Sequence, residues 1–111
     1  MKMFALAVMV AFVSVSSVKA EPMTPLADLQ RGTMVSVEGI VERILDEDEF
    51  RLADDTGSVG VYVGPNWVPV NAGERVRVQG FVDDGIGSRE IYARMLTRED
   101  GTDVEFSHRY D

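Results

Sequence analysis

Val35-Ser36-Val37-Glu38-Gly39-Ile40-Val41-Glu42-Arg43-Ile44 is the stretch whose reading decides the fold. Val35 and Val37 alternate with Ser36 and Glu38, the period of two that sends one row of side chains to each face of a strand. At Gly39 the alternation breaks, and the apolar positions change parity to Ile40 and Ile44. A glycine at such a phase change predicts a bulge or a sharp bend, so that one long strand serves both halves of a barrel.

Downstream, the alternation returns four times. Phe50 and Leu52 sit against Arg51 and Ala53, and Val59, Val61 and Val63 against Gly60 and Tyr62. Val76, Val78 and Val82 sit against Arg75, Arg77 and Phe81, with Gly80 interrupting as Gly39 does. Ile91, Ala93 and Met95 sit against Tyr92 and Arg94. Turn-forming residues separate these runs: Asp46-Glu47-Asp48, Asp54-Asp55-Thr56-Gly57, Asn71-Ala72-Gly73 and Asp83-Asp84-Gly85. Pro65 and Pro69 keep the 64–73 connection from forming a helix. Upstream, 24–32 reads as one short helix, with Thr24 as cap, Pro25 at the first helical position and Gly32 as stop. Leu26 and Leu29 share its inner face. The expected architecture is all-β: a small five-stranded OB-fold barrel over 33–97 with a short N-terminal helix in 21–32. The segment 98–111 is a polar tail or an extra edge strand carrying Val104 and Phe106. Trp67 is expected to plug the core or its rim, because a single Trp in a small barrel usually packs.

The first residues predict the compartment. Lys2 precedes the apolar run Phe4 to Val13, and Val18-Lys19-Ala20 offers a signal-peptidase site before Glu21-Pro22. That is the pattern of a secretory signal peptide over 1–20, and its apolar run is short of the ~18 residues of a spanning helix. Export and a periplasmic location follow as expectations. Both lysines lie in the leader, which leaves nine arginines against 19 acidic residues. A field of that sign repels phosphate backbones and anionic lipid heads, so neither nucleic acid nor stable membrane insertion is expected. The chain has no cysteine, which excludes thiol catalysis, thiolate metal sites and disulfide support.

Several phrases carry a resemblance: Val37-Glu38-Gly39-Ile40-Val41-Glu42-Arg43-Ile44, Phe50-Arg51-Leu52-Ala53-Asp54-Asp55-Thr56-Gly57, Trp67, and Val76-Arg77-Val78-Gln79-Gly80-Phe81-Val82-Asp83. In this order, behind a signal peptide, they resemble the bacterial OB-fold (BOF) family of small periplasmic stress-tolerance proteins, over about 24–97. The resemblance implies an OB barrel with a leading helix, no catalytic machinery, and a part in envelope stress tolerance.

Little in the chain suits covalent chemistry. The lone His108 lies in Ser107-His108-Arg109-Tyr110 near the C-terminus, and adjacency in sequence does not build a Ser–His pair. Asp46-Glu47-Asp48-Glu49 lacks the spacing of a calcium loop. No enzyme activity, metal or cofactor is expected. OB-folds bind on the face of strands 2 and 3, between the loops joining strands 1–2 and 4–5. Here that face offers Arg51 and Tyr62, and the loops offer Asp46, Glu47, Asp48, Glu49, Asp83, Asp84 and Arg89. Gly39, Gly80, Gly57 and Trp67 are expected to be structural. The expected function is an exported, non-catalytic binding module for a small or cationic ligand or an envelope protein. The alternatives are a hydrolase using loop carboxylates and a structural subunit docking onto an envelope complex.

Overall fold

The computed structural model describes residues 22–65 and 67–106; the expected leader, His108 and Tyr110 lie outside them. Six strands follow a single 3₁₀ turn (Leu26–Asp28): β1 (Met34–Asp46), β2 (Glu49–Asp54), β3 (Gly57–Tyr62), β4 (Arg75–Val82), β5 (Glu90–Thr97) and β6 (Asp103–Glu105). Their order in the sheet is β3-β2-β1-β4-β5-β6, and a further pairing of β3 with β5 closes the first five strands into a barrel. That closing pair is parallel, and the other five are antiparallel. β6 stands outside the barrel, and with Phe106 (7% exposed) it realises the extra edge strand.

The alternation seen in the sequence becomes the barrel's inner wall. Val37, Val41, Phe50, Leu52, Val61, Val63, Val76, Val78, Val82, Ile91 and Leu96 are fully buried, and Leu26 and Leu29 complete the same cluster. Each such side chain contributes about 1.5–3 kcal/mol on leaving water, and with no disulfide this burial carries the fold.

β1 does serve both halves. Its residues 34–40 pair with β4, and 40–46 with β2. The parity reading of Gly39, however, needs correction. Val37, Gly39 and Val41 form one continuous inward row, whereas Ile40 is half-buried and Ile44 is 42% exposed. The phase slips later, where the β1–β2 register shifts between Val41 and Arg43. Gly39 acts through close approach instead: a Cβ there would run into the carbonyl oxygen of Ala53. At Gly80 too β4 keeps its alternation, with Val78, Gly80 and Val82 all buried, and the bulge falls on the partner strand β5 instead. Register with β5 jumps from Gln79–Met95 to Gly80–Ala93, leaving Arg94 as the extra residue, and a Cβ on Gly80 would meet the Tyr92 carbonyl. Gly57 opens β3, directly after the turn.

Two further expectations are corrected. The N-terminal helix is only the 3₁₀ turn, and Thr24 makes no cap; its N–H donates to Ser36 O at 2.8 Å. Short helices nucleate poorly, and here side chains of the β2–β3 turn take the N–H groups. Leu26 N–H donates to Asp54 Oδ2 and Ala27 N–H to Thr56 Oγ1, both at 3.0 Å. Asp54 Oδ1 also accepts from the N–H groups of Thr56 (2.7 Å) and Gly57 (3.0 Å). Burial works against the Asp54 charge, but these bonds outweigh it and hold its carboxyl below the usual range. Trp67, in turn, is no plug: it is 74% exposed, while Val63 and Val70 on either side of it in the chain are buried.

Candidate functional site

The outer face of β2, β3 and β5 is built by the residues that alternate with the core. In the ladder, Glu49 lies opposite Tyr62 and Arg51 opposite Gly60. Across the closing seam, Gly60 lies opposite Glu90 and Tyr62 opposite Tyr92. Gly60 leaves an empty lane between two acids. A Cβ there would lie 2.6 Å from Glu49 Oε2 and 3.6 Å from Glu90 Cγ, so a side chain at this position would displace the Glu49 carboxyl from the lane. Burial first, then the hydrogen bond with Glu49 and the charges of Glu49, Asp83 and Asp48, push the Glu90 carboxyl up to about 7. The Glu90 carboxyl therefore keeps its proton well above the usual carboxylate range. Beside them the Tyr62 and Tyr92 rings meet edge to face, with centroids 5.9 Å apart at 72°.

The acids come from separated parts of the chain. Asp48 and Glu49 belong to the β1–β2 hairpin, Asp83 to the end of β4, and Glu90 to the start of β5. The backbone holds this end in place: Val63 N–H donates to Asp48 O and Asp83 N–H to Glu90 O, both at 2.9 Å. Glu47 and Asp48 also line a hollow of about 150 Å³ with Gly64, Pro65 and the exposed Trp67. Asp46 is turned locally, accepting from Glu47 N–H at 2.8 Å, and exposed Asp84 lies near Gly32. Neither joins the acids around Glu90.

Arg51 does not stand with Tyr62. It extends toward the start of β3, where its guanidinium donates to Ser58 Oγ at 3.2 Å. There it lines a second hollow, of about 380 Å³, with Arg31, Arg89, Ser58 and Ser88. Arg31 donates to Gly85 O at 2.7 Å and also to Gly87 O, and Arg89 donates to Leu29 O. These bonds lace the β4–β5 loop to the segment before β1. The candidate residues thus divide into an acidic, aromatic end and an arginine end. Sequence reasoning missed Glu90, Tyr92 and Arg31. Glu90 and Tyr92 carried a usable signal, since they alternate with buried Ile91 and Ala93 and therefore face outward. Arg31 carried none, being one more polar residue at the end of an expected helix.

The chain is similar in fold to a solved protein, the hypothetical protein ygiW from E. coli. The match has 24% sequence identity and a TM-score of 0.60, and covers 69% of this chain and 89% of that one. It carries the fold. No protein-family model matches the chain, and no curated protein matches it.

Proposed function

We propose that this protein is an exported, non-catalytic OB-fold binding module of the BOF type, serving envelope stress tolerance by binding a small cationic ligand or a cationic segment of an envelope protein. The observation that carries the reading is the convergence of Asp48, Glu49, Asp83 and Glu90 beside the Tyr62–Tyr92 pair. A cation between Glu49 and Glu90 takes the place of the Glu90 proton and relieves the repulsion among these acids. Aromatic faces next to carboxylates add cation–π attraction, and exposed Trp67 beside Glu47 and Asp48 extends the same chemistry. The Glu49–Glu90 contact also speaks against a glycosidase pair, whose carboxyls stand about 5 Å or more apart to admit the sugar or water. Similarity of fold to ygiW, together with the BOF-like phrases, supports the family.

The test titrates the purified protein with spermidine, an arginine-rich peptide and single-stranded DNA, at low and physiological salt and at pH 6 and 8. Spermidine and the peptide should bind, more weakly at high salt because screened charge attraction drives the encounter. They should bind more weakly at pH 6, where protons compete for Glu90. Joint replacement Asp48→Asn, Glu49→Gln and Asp83→Asn should abolish binding, while Asp46→Asn and Asp84→Asn leave it nearly intact. Tight DNA binding, or cation binding indifferent to the triple replacement, refutes the reading. The export half requires that the protein recovered from the producing cell begin at Glu21.

A further inference from the structure

We infer that the hollow lined by Arg31, Arg51 and Arg89 is a binding site for a small oxyanion, a carboxylate- or phosphate-bearing molecule no larger than about one sugar unit. This goes beyond the cationic-ligand reading, uses different residues, and stands or falls separately.

Cations are scarce in this chain, which has 19 acidic residues against 11 basic ones. Three of the other arginines are matched with acids. Arg75 and Arg77 share Glu38 at 3.7 and 3.8 Å, and Arg98 grips Glu74 at 2.9 Å. Arg43 and Arg94 also lack an ion pair among the described residues, so what sets Arg31, Arg51 and Arg89 apart is that they converge. They come from the segment before β1, from β2 and from the β4–β5 loop, yet they line one hollow with Ser58, Ser88, Gly87 and three apolar neighbours, Leu26, Leu29 and Val59. Among the described residues no carboxylate lines the hollow and none lies within ion-pair distance of the three arginines. Arg43, opposite Arg51 in the β1–β2 ladder, adds another positive charge nearby.

The bonds these arginines do make hold them in place without neutralising them. Each partner is a carbonyl or a hydroxyl: Gly85 O and Gly87 O for Arg31, Leu29 O for Arg89, Ser58 Oγ for Arg51. A guanidinium has five N–H donors, so donors remain on each, and Ser58, accepting from Arg51, keeps its own O–H to donate. Uncompensated positive charge on preorganised planar forks is the chemistry that recognises carboxylate and phosphate bidentately. A hollow of about 380 Å³ falls in the range of small-ligand pockets. The acidic residues elsewhere on this face exclude a polyanion by repulsion, which limits the ligand to one compact anionic group.

Arg31 and Arg89 also tie the β4–β5 loop, so the test turns on Arg51, whose side chain holds only Ser58. The purified protein is titrated calorimetrically with inorganic phosphate, glucose 6-phosphate and glucuronate, with glucose as the uncharged control, at low and physiological salt. Saturable binding of at least one anion and none of glucose is expected, weakening as salt rises. Arg51→Gln should weaken it about tenfold, the loss of one charge-assisted contact, with Tm unchanged, and Arg51→Lys should fall between. A response to the two phosphates alone assigns a phosphate ester, and a response to glucuronate assigns a carboxylate. Spermidine binding should be unaffected by Arg51→Gln. If none of the three anions binds, or if Arg51→Gln and Ser58→Ala both bind like the wild type, the arginines are loop clamps and the inference is overturned.

Discussion

Gly39→Ala adds one methyl group to a protein of 111 residues, and the fold leaves it nowhere to go. The new Cβ runs into the carbonyl oxygen of Ala53, lies 3.0 Å from that carbonyl carbon, and 3.3 Å from Leu52 Cγ. Two of these three atoms are main chain and cannot rotate away. They belong to the residue paired with Ile40, where β1 passes from its pairing with β4 to its pairing with β2. The β1 and β2 backbones must therefore separate at the bend of the barrel's central strand. Overpacking of a core costs about 1–3 kcal/mol, and a backbone obstacle places this change in the upper part, about 2–3 kcal/mol. In a domain of this size each kcal/mol lowers Tm by about 4–8 °C, so a fall of about 10–20 °C is expected. Gly57→Ala is the control. Its Cβ has only Ala27 N within reach, at 3.9 Å, and Gly57 is not among the glycines with positive φ. Lowering the entropy of the unfolded chain should then make that variant neutral or more stable by about 0.4–1 kcal/mol. Thermal unfolding followed by circular dichroism, with urea unfolding beside it, measures both. Equal Tm values for Gly39→Ala and the wild type, or equal losses for the two variants, would falsify the close-approach argument.

Glu90→Gln tests the carboxyl pair through pH. Because the folded-state pKa is raised to about 7 from 4.5, the folded protein holds this proton longer than the unfolded chain does. Wild-type stability should thus fall as pH rises from about 4.5 through about 7 and then level. Glu90→Gln should remove that slope and leave the variant more stable above pH 7, by about 1 kcal/mol after solvent screening; identical pH profiles in thermal scans would count against the pair. Glu74→Gln should lower Tm by several degrees, since Glu74 binds Arg98 at 2.9 and 3.0 Å and also takes the Asn71 N–H at 3.1 Å. Glu38→Gln, which loses only exposed pairs beyond 3.6 Å, should leave Tm nearly unchanged; equal effects would mean that the Glu74 bonds hold nothing.

The strands were legible because each one buries a single face, and burial of one face is what a period of two records. Phe50, Leu52, Val59, Val61, Val76, Val78, Ile91 and Ala93 all point inward as their alternation requires. The parity at Gly39 misled because glycine has no hydrophobicity to register: it occupies an inward position, and Ile40 and Ile44 look like the continuation of the row when Gly39 and Val41 are. The N-terminal helix failed for another reason. Its propensity signals are local, whereas the bonds from Leu26 and Ala27 to Asp54 and Thr56 cross 28 and 29 residues and have no local trace. The same limit governs the site. Acidic loops could be counted in the sequence, but the meeting of Glu49 with Glu90 depends on the β3–β5 pairing and on the absence of a side chain at Gly60.

The closing seam is only three pairs long, Gly60–Glu90, Val61–Ile91 and Tyr62–Tyr92, against seven between β1 and β4. No other ladder of the barrel is so short. With the fewest pairs to break, the seam is the joint where opening and amide hydrogen exchange should begin. Glu49 and Tyr62 lie on one side of that joint and Glu90 and Tyr92 on the other. Until the joint closes, that site does not exist. A ligand spanning it would act as a latch, stabilising the closed barrel alone and slowing its opening in proportion to occupancy.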